Sequence, residues 1–140
     1  MRQFLAIDGT FLKARFVQTL LLAVGVDANS QITLLAWGVV ESENRSSWEW
    51  FLCHLRRAIP EVYSEGMILI SDRDKGLLEA EEVLGTLVIR AYCCWHLKEN
   101  FTEKFGCGLV SAFWKVARSR IAILFEVTLD EIAKVKPAAA

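Results

Sequence analysis

Asp8 and Asp72 are the residues best placed for chemistry in this sequence, because each stands where an apolar run of strand length gives out. The first run, Phe4-Leu5-Ala6-Ile7, delivers Asp8 into what reads as a turn at Gly9; the second, Met67-Ile68-Leu69-Ile70-Ser71, delivers Asp72 ahead of a helical pattern. Ligands of open α/β sheets gather beside the carboxyl ends of strands, so two strands that each end in a carboxylate point to one shared site. Two carboxylates held close do not both stay ionised cheaply without a cation, which makes a metal ion the natural third party.

The same residues have plainer readings. An Asp before Gly is also a turn former, since its side chain bonds the next backbone amides. Asp72 is equally suited to cap the following helix, and Asp74 to sit solvated in its first turn. Cys93 and His96 form a Cys-x-x-His element where a strand gives way to a helix. Two ligands do not make a zinc site, and Cys53, His54 and Cys107 stand at no accepted spacing to complete one. A buried thiol beside a hydrogen-bonded imidazole is the alternative. Adjacent Cys93 and Cys94 lack the two-residue spacer of a redox dithiol.

The elements that must carry these residues follow from pattern. At 140 residues, 54 % hydrophobic and 24 % charged, with five Trp and eight Phe, the chain suits a single packed domain and not a disordered one. Strands are expected at 4–8, 19–26 and 32–40, the last two joined by the polar hairpin Asp27-Ala28-Asn29-Ser30. The near-continuous Leu20-Leu21-Leu22-Ala23-Val24 run implies a strand covered on both faces. Ser46-Ser47-Trp48-Glu49 has capping-box spacing, and Trp48, Phe51, Leu52, Leu55 and Ile59 then recur along one helical face up to Pro60. A strand ending in Asp72, a helix over 75–84 stopped by Gly85, a strand over 87–92, a helix to about Phe105 and one long helix to about Val135 complete the order.

A net charge of −1 gives no global attraction to nucleic acid, so such binding would need local patches. No apolar run reaches the roughly 18 residues of a membrane span and the amino terminus lacks a signal pattern, so a soluble, intracellular chain with reduced cysteines is expected.

Order and acid placement together point to an α/β, ribonuclease H-like fold: a mixed five-stranded sheet, β-β-β-α-β-α-β, flanked by helices and followed by a helical extension. The resemblance sharpens at four motifs: Asp8-Gly9-Thr10-Phe11, Glu43-Asn44-Arg45-Ser46-Ser47-Trp48-Glu49-Trp50-Phe51-Leu52, Ser71-Asp72-Arg73-Asp74-Lys75-Gly76-Leu77 and Cys93-Cys94-Trp95-His96-Leu97-Lys98-Glu99-Asn100-Phe101. In this order they resemble the catalytic core of Mutator-like element (MULE) transposases, which are DDE enzymes. The resemblance implies that Asp8 is the first acid and Asp72 the second, that they hold Mg²⁺ (or Mn²⁺) in a two-metal site with ions about 4 Å apart, and that Cys93 and His96 are a family motif. It further implies phosphodiester hydrolysis followed by strand transfer, DNA (transposon ends and target) as partner, a nuclear location and a possible homo-oligomer of the full-length protein. The family's third acid, a Glu after a helical insertion, is expected beyond Ala140, and Glu126, Asp130 and Glu131 do not map onto it. Residues 1–105 are thus expected to form the core and 106–140 the start of the insertion, a fragment incomplete by itself.

Two rival readings differ in class. Phosphatases of the haloacid dehalogenase type also open with Asp-Gly-Thr, but their nucleophile stands two residues earlier, where this chain has Ala6. The other rival is a transposase-derived DNA- or protein-binding module without catalysis. Lys13, Arg15, Arg73, Lys75, Lys98 and Lys104 are candidate phosphate contacts or simply a solvated face, and Trp95 is a candidate for base stacking.

Overall fold

The computed structural model describes residues 3–13, 17–80, 83, 85 and 88–139. These fall into two compact units, Met1–Tyr92 and Cys93–Ala140. The first is built on a five-stranded sheet of β1 (Phe4–Lys13), β2 (Val17–Val26), β3 (Ile32–Val40), β4 (Ile68–Ser71) and β5 (Ile89–Tyr92), in the order β3-β2-β1-β4-β5. β1 pairs antiparallel with β2 and parallel with β4, β2 pairs antiparallel with β3, and β4 pairs parallel with β5. This mixed sheet with helical crossovers is the ribonuclease H-like arrangement expected from the element order.

The expected hairpin forms between β2 and β3. Asp27 Oδ1 accepts the amides of Asn29 and Gln31, both at 2.8 Å, so one carboxylate organises the whole turn. β3 has the expected bounds, whereas β1 runs five residues further than expected. Gly9 is not a turn: β1 continues through Thr10, Phe11 and Leu12, which stay paired with Leu20, Thr19 and Gln18. The β-forming side chains after Gly9 and a full-length partner in β2 outweigh the local turn signal.

α1 (Arg45–Ala58) covers one face of this sheet. Trp48, Phe51, Leu52 and Leu55 meet Leu5, Ile7, Leu21, Ala23 and Leu69 in one core, each such side chain contributing about 1.5–3 kcal/mol by its burial. The cap is Asn44 and not Ser46: Asn44 Oδ1 accepts the Ser47 amide at 3.0 Å, and Glu49 pairs with Arg45 at 2.6 Å instead of reaching back. With the cap at 44 the reciprocal position falls on Ser47, so no capping box closes. The β2 run is covered on one face only. Leu21 and Ala23 are buried while Leu20, Leu22 and Val24 stay half-buried, and Leu34, Trp37 and Val39 of β3 are exposed.

α2 (Lys75–Ala80) crosses from β4 to β5; Leu84 and Leu87, expected to bound this helix and the next strand, lie outside the described residues. In the second unit α3 (Cys94–Phe105) is as expected, but the long helix is two: α4 (Val110–Ala117) and α5 (Ala122–Val135). The break lies at Arg118-Ser119-Arg120-Ile121, where the Ser119 hydroxyl bonds back to the Lys115 carbonyl at 2.7 Å and Ile121 is extended.

Gly76 is where α2 meets the start of α1. A Cβ there would lie 2.9 Å from the Arg45 backbone nitrogen and 3.1 Å from the Asn44 carbonyl carbon. Gly to Ala inside a helix ordinarily stabilises by about 0.5–1 kcal/mol. Here Gly76→Ala is expected to reverse that sign and cost about 1–3 kcal/mol, because backbone and not a flexible side chain must give way. Urea denaturation of both proteins decides it, and a gain in stability would refute the close approach.

Candidate functional site

Asp8 lies in mid-strand, level with Leu22 of β2, and its Oδ1 accepts the Gly9 amide at 3.0 Å. Leu5 and Ile7 point into the core, so alternation turns Ala6 and Asp8 to the other face, where Asp8 is exposed. The β1–β4 ladder pairs Phe4 with Ile68, Leu5 with Leu69 and Ala6 with Ile70. Two further steps in the same register bring Asp8 level with Asp72, just after β4 ends at Ser71. Neighbouring strands run about 4.8 Å apart, so residues level on them are close neighbours.

The turn after β4 is built from its own carboxylates. Asp72 Oδ1 accepts the Asp74 amide at 2.9 Å, and Asp74 Oδ1 accepts the Leu77 amide at 3.1 Å while its carbonyl takes the Leu78 amide. Asp74 is therefore the cap of α2, and not merely a solvated first-turn residue. Asp72 sits two residues earlier and organises the turn.

Glu43, between β3 and α1, is the residue that the motif reading passed over. Its Oε1 accepts the indole N–H of Trp48 at 3.2 Å, and Trp48 is fully buried. Its carboxylate lies against Gly9, close enough that a Cβ there would stand 2.6 Å from Oε1. Burial pushes the Glu43 carboxyl above its ordinary value; the Trp48 bond opposes this, and the negative charges of Asp74, Asp72 and Asp8 raise it further. Four acids thus share one electrostatic neighbourhood. The available signals were Gly9 beside the first Asp and a Trp five residues after Glu43 in the second motif.

Among the described residues no group of three His, Cys, Asp or Glu side chains is arranged to hold a metal ion. The donor chemistry nevertheless fits Mg²⁺ or Mn²⁺, since such ions are commonly held by one or two carboxylates and complete their shells with water and substrate phosphates. The crowded negative charge around Glu43 is of the sign that a divalent cation relieves.

Cys93 and His96 belong to the second unit. Cys93 precedes α3, its carbonyl taking the Leu97 amide at 3.0 Å, and His96 Nδ1 is buried with no hydrogen-bond partner among the described residues. All four cysteines are free thiols. Of the candidate phosphate contacts, Arg15 lies outside the described residues, and Lys98 pairs with Glu99 while its ammonium sits 4.0 Å from the centre of the exposed Trp95 ring.

Comparison with known proteins adds four findings. Residues 4–100 match the family model of the MULE transposase domain. FAR-RED IMPAIRED RESPONSE 1 of Arabidopsis thaliana is 27% identical over 101 residues, which make up 72% of this chain and 12% of that protein. The chain thus spans 12% of that relative's length. The Mos1 transposase catalytic domain, solved with raltegravir and manganese, superposes with a TM-score of 0.46 at 16% identity, covering 96% of this chain and 71% of that one. The Mos1 paired-end complex with a left transposon end gives 0.45 at 13%, covering 96% and 48%.

The raised Glu43 carboxyl has a consequence for stability. The folded protein holds this proton above the ordinary glutamate value of 4.5, so the contribution is fully present below that value and is lost as pH rises through the folded one. Wild type is therefore expected to lose stability relative to Glu43→Gln as pH is raised from about 4 to 7. Paired urea titrations across that range test it; a difference that stays constant with pH would refute the assignment.

Proposed function

The chain belongs to the MULE transposase domain family, and on that premise we propose that it carries the first two acids of a DDE transposase core acting on DNA phosphodiesters. The observation that supports this reading is the parallel β1–β4 register, which, counted on by two residues from Ala6 and Ile70, sets Asp8 opposite Asp72 just past the end of β4. In this reading Asp8 and Asp72 hold Mg²⁺ or Mn²⁺. When bound, a pair of such ions favours attack on the phosphate by water or a DNA 3′-hydroxyl and stabilises the departing oxygen. The chain's own part is orientation. The Gly9 amide fixes one oxygen of Asp8 and the Asp74 amide one oxygen of Asp72, which orients both carboxylates. Glu43, bonded to the Trp48 indole, lies against Gly9, the residue next to Asp8.

Hydrolysis followed by strand transfer, with transposon ends and target DNA as partners, is the activity proposed for the longer protein, together with a nuclear location and assembly as a homo-oligomer. The third acid is proposed to lie after the helical insertion of that protein. No helix among the described residues is long and apolar enough to cross a membrane.

A second reading, a transposase-derived DNA- or protein-binding module without catalysis, draws on the match to a plant protein named for a far-red response. Metal binding separates the two. Mn²⁺ titration followed by electron paramagnetic resonance is expected to show binding that Asp8→Asn and Asp72→Asn each weaken by at least about tenfold. Binding that is absent, or indifferent to both substitutions, would leave the non-catalytic module standing.

A further inference from the structure

The chain carries 16 Lys and Arg against 17 Asp and Glu, yet the stretch from Lys104 through Phe125 holds Lys104, Lys115, Arg118 and Arg120 and no carboxylate. The centre of this stretch is α4. Its Phe113 ring packs against Phe101 of α3 at 5.4 Å between centroids, which anchors one side of the helix. Ser111, Trp114, Lys115 and Arg118, at the i, i+3, i+4 and i+7 positions, form a different stripe and line an open cavity of about 480 Å³. A stripe at this spacing is ordinarily the apolar one.

Its chemistry is consistent throughout. The Arg118 guanidinium lies 5.0 Å from the centre of the Trp114 ring, and Trp114 stands edge-on to Phe113 with its own ring half-buried. Lys115 and Arg118 are exposed, and among the described residues neither they nor Arg120 enter a salt bridge. The carbonyl end of a helix favours cations, which accounts for their type there. It does not account for a cavity shared with an indole and a hydroxyl.

We propose that this face of α4 binds single-stranded nucleic acid, taking backbone phosphates on Lys115 and Arg118 and an unstacked base on Trp114. Cation and ring side by side suit a phosphate and a base of one strand, and a cavity of this size admits about one nucleotide. A base paired inside a duplex hides its faces, so the indole selects a single strand. The site lies within the second unit and stands whether or not Asp8 and Asp72 hold metal.

Fluorescence anisotropy of the whole chain with a labelled oligothymidylate about 12 nucleotides long tests this. At about 50 mM salt the K115Q/R118Q protein is expected to bind at least about tenfold more weakly than wild type. The slope of log affinity against log salt is expected to become shallower by about 1.4, or 0.7 for each phosphate released. Trp114→Leu is expected to weaken binding at least about fivefold with the slope unchanged, and Trp114→Phe to restore most of it. Measuring the binding in EDTA, without divalent ions, keeps this result apart from that of the metal titration. Circular dichroism verifies the fold of each variant. The proposal is overturned if wild type does not bind the strand, if K115Q/R118Q binds it equally well, or if a duplex of the same length binds as tightly as the single strand. Displacement by inorganic phosphate as effective as by unlabelled oligonucleotide would also overturn it, as the mark of a bare anion site.

Discussion

Three residue pairs hold the arrangement together: the short parallel ladder of Phe4, Leu5 and Ala6 with Ile68, Leu69 and Ile70. Everything about the candidate site depends on its register. Leu5 and Leu69 are level in the core under α1, and their burial fixes the parity of both strands. Because strand side chains alternate, that parity sends Asp8 to the far face and leaves Asp72 level with it. A slip of one residue on either strand would bury an acid and expose a leucine, at a cost of about 1.5–3 kcal/mol for the apolar side chain alone. The hydrophobic core therefore sets the alignment of the acids, although it touches neither.

A second constraint couples this ladder to α1. Trp48 is fully buried and its indole N–H needs an acceptor, which Glu43 provides. Glu43 reaches it only by lying across β1 where the chain has no side chain, at Gly9. The packing of a core tryptophan thereby brings a third carboxylate toward Asp8 and Asp72. Such crowding is unfavourable in a purely structural element. It is compensated where a cation is held, and so the Glu43–Trp48–Gly9 contact agrees with the reading of the two aspartates without depending on it.

Much of this was legible in the sequence because the signals were local and mutually consistent. The order of elements, the bounds of β3, the Asp27 hairpin and the apolar face of α1 all follow from period and turn chemistry. Gly9 was misread because a glycine after an aspartate looks like a turn, whereas its role is to let Glu43 approach. The α1 cap was misplaced by two residues because Ser46 and Asn44 are both good caps, and only the fold decides which amides are orphaned. Glu43 was overlooked because its importance is tertiary. Nothing in its own neighbourhood announces that Gly9 and the aspartates lie opposite.

The helix break between α4 and α5 shows how a pattern can persist while its meaning changes. Leu109, Phe113, Trp114, Ala117, Ile121, Leu124, Phe125, Ile132 and Val135 recur at helical spacing, which suggests one continuous apolar stripe with Trp114 in the core. Once the chain turns at 118–121, the two halves no longer share a face. Phe113 keeps its apolar partner in Phe101, while Trp114 shares its face with Ser111, Lys115 and Arg118. The near-zero net charge conceals this separation, because an average over the chain cancels a basic segment against acids elsewhere. Electrostatic attraction acts over about 8–10 Å at physiological salt, so a partner at α4 responds to the local cations and not to the total.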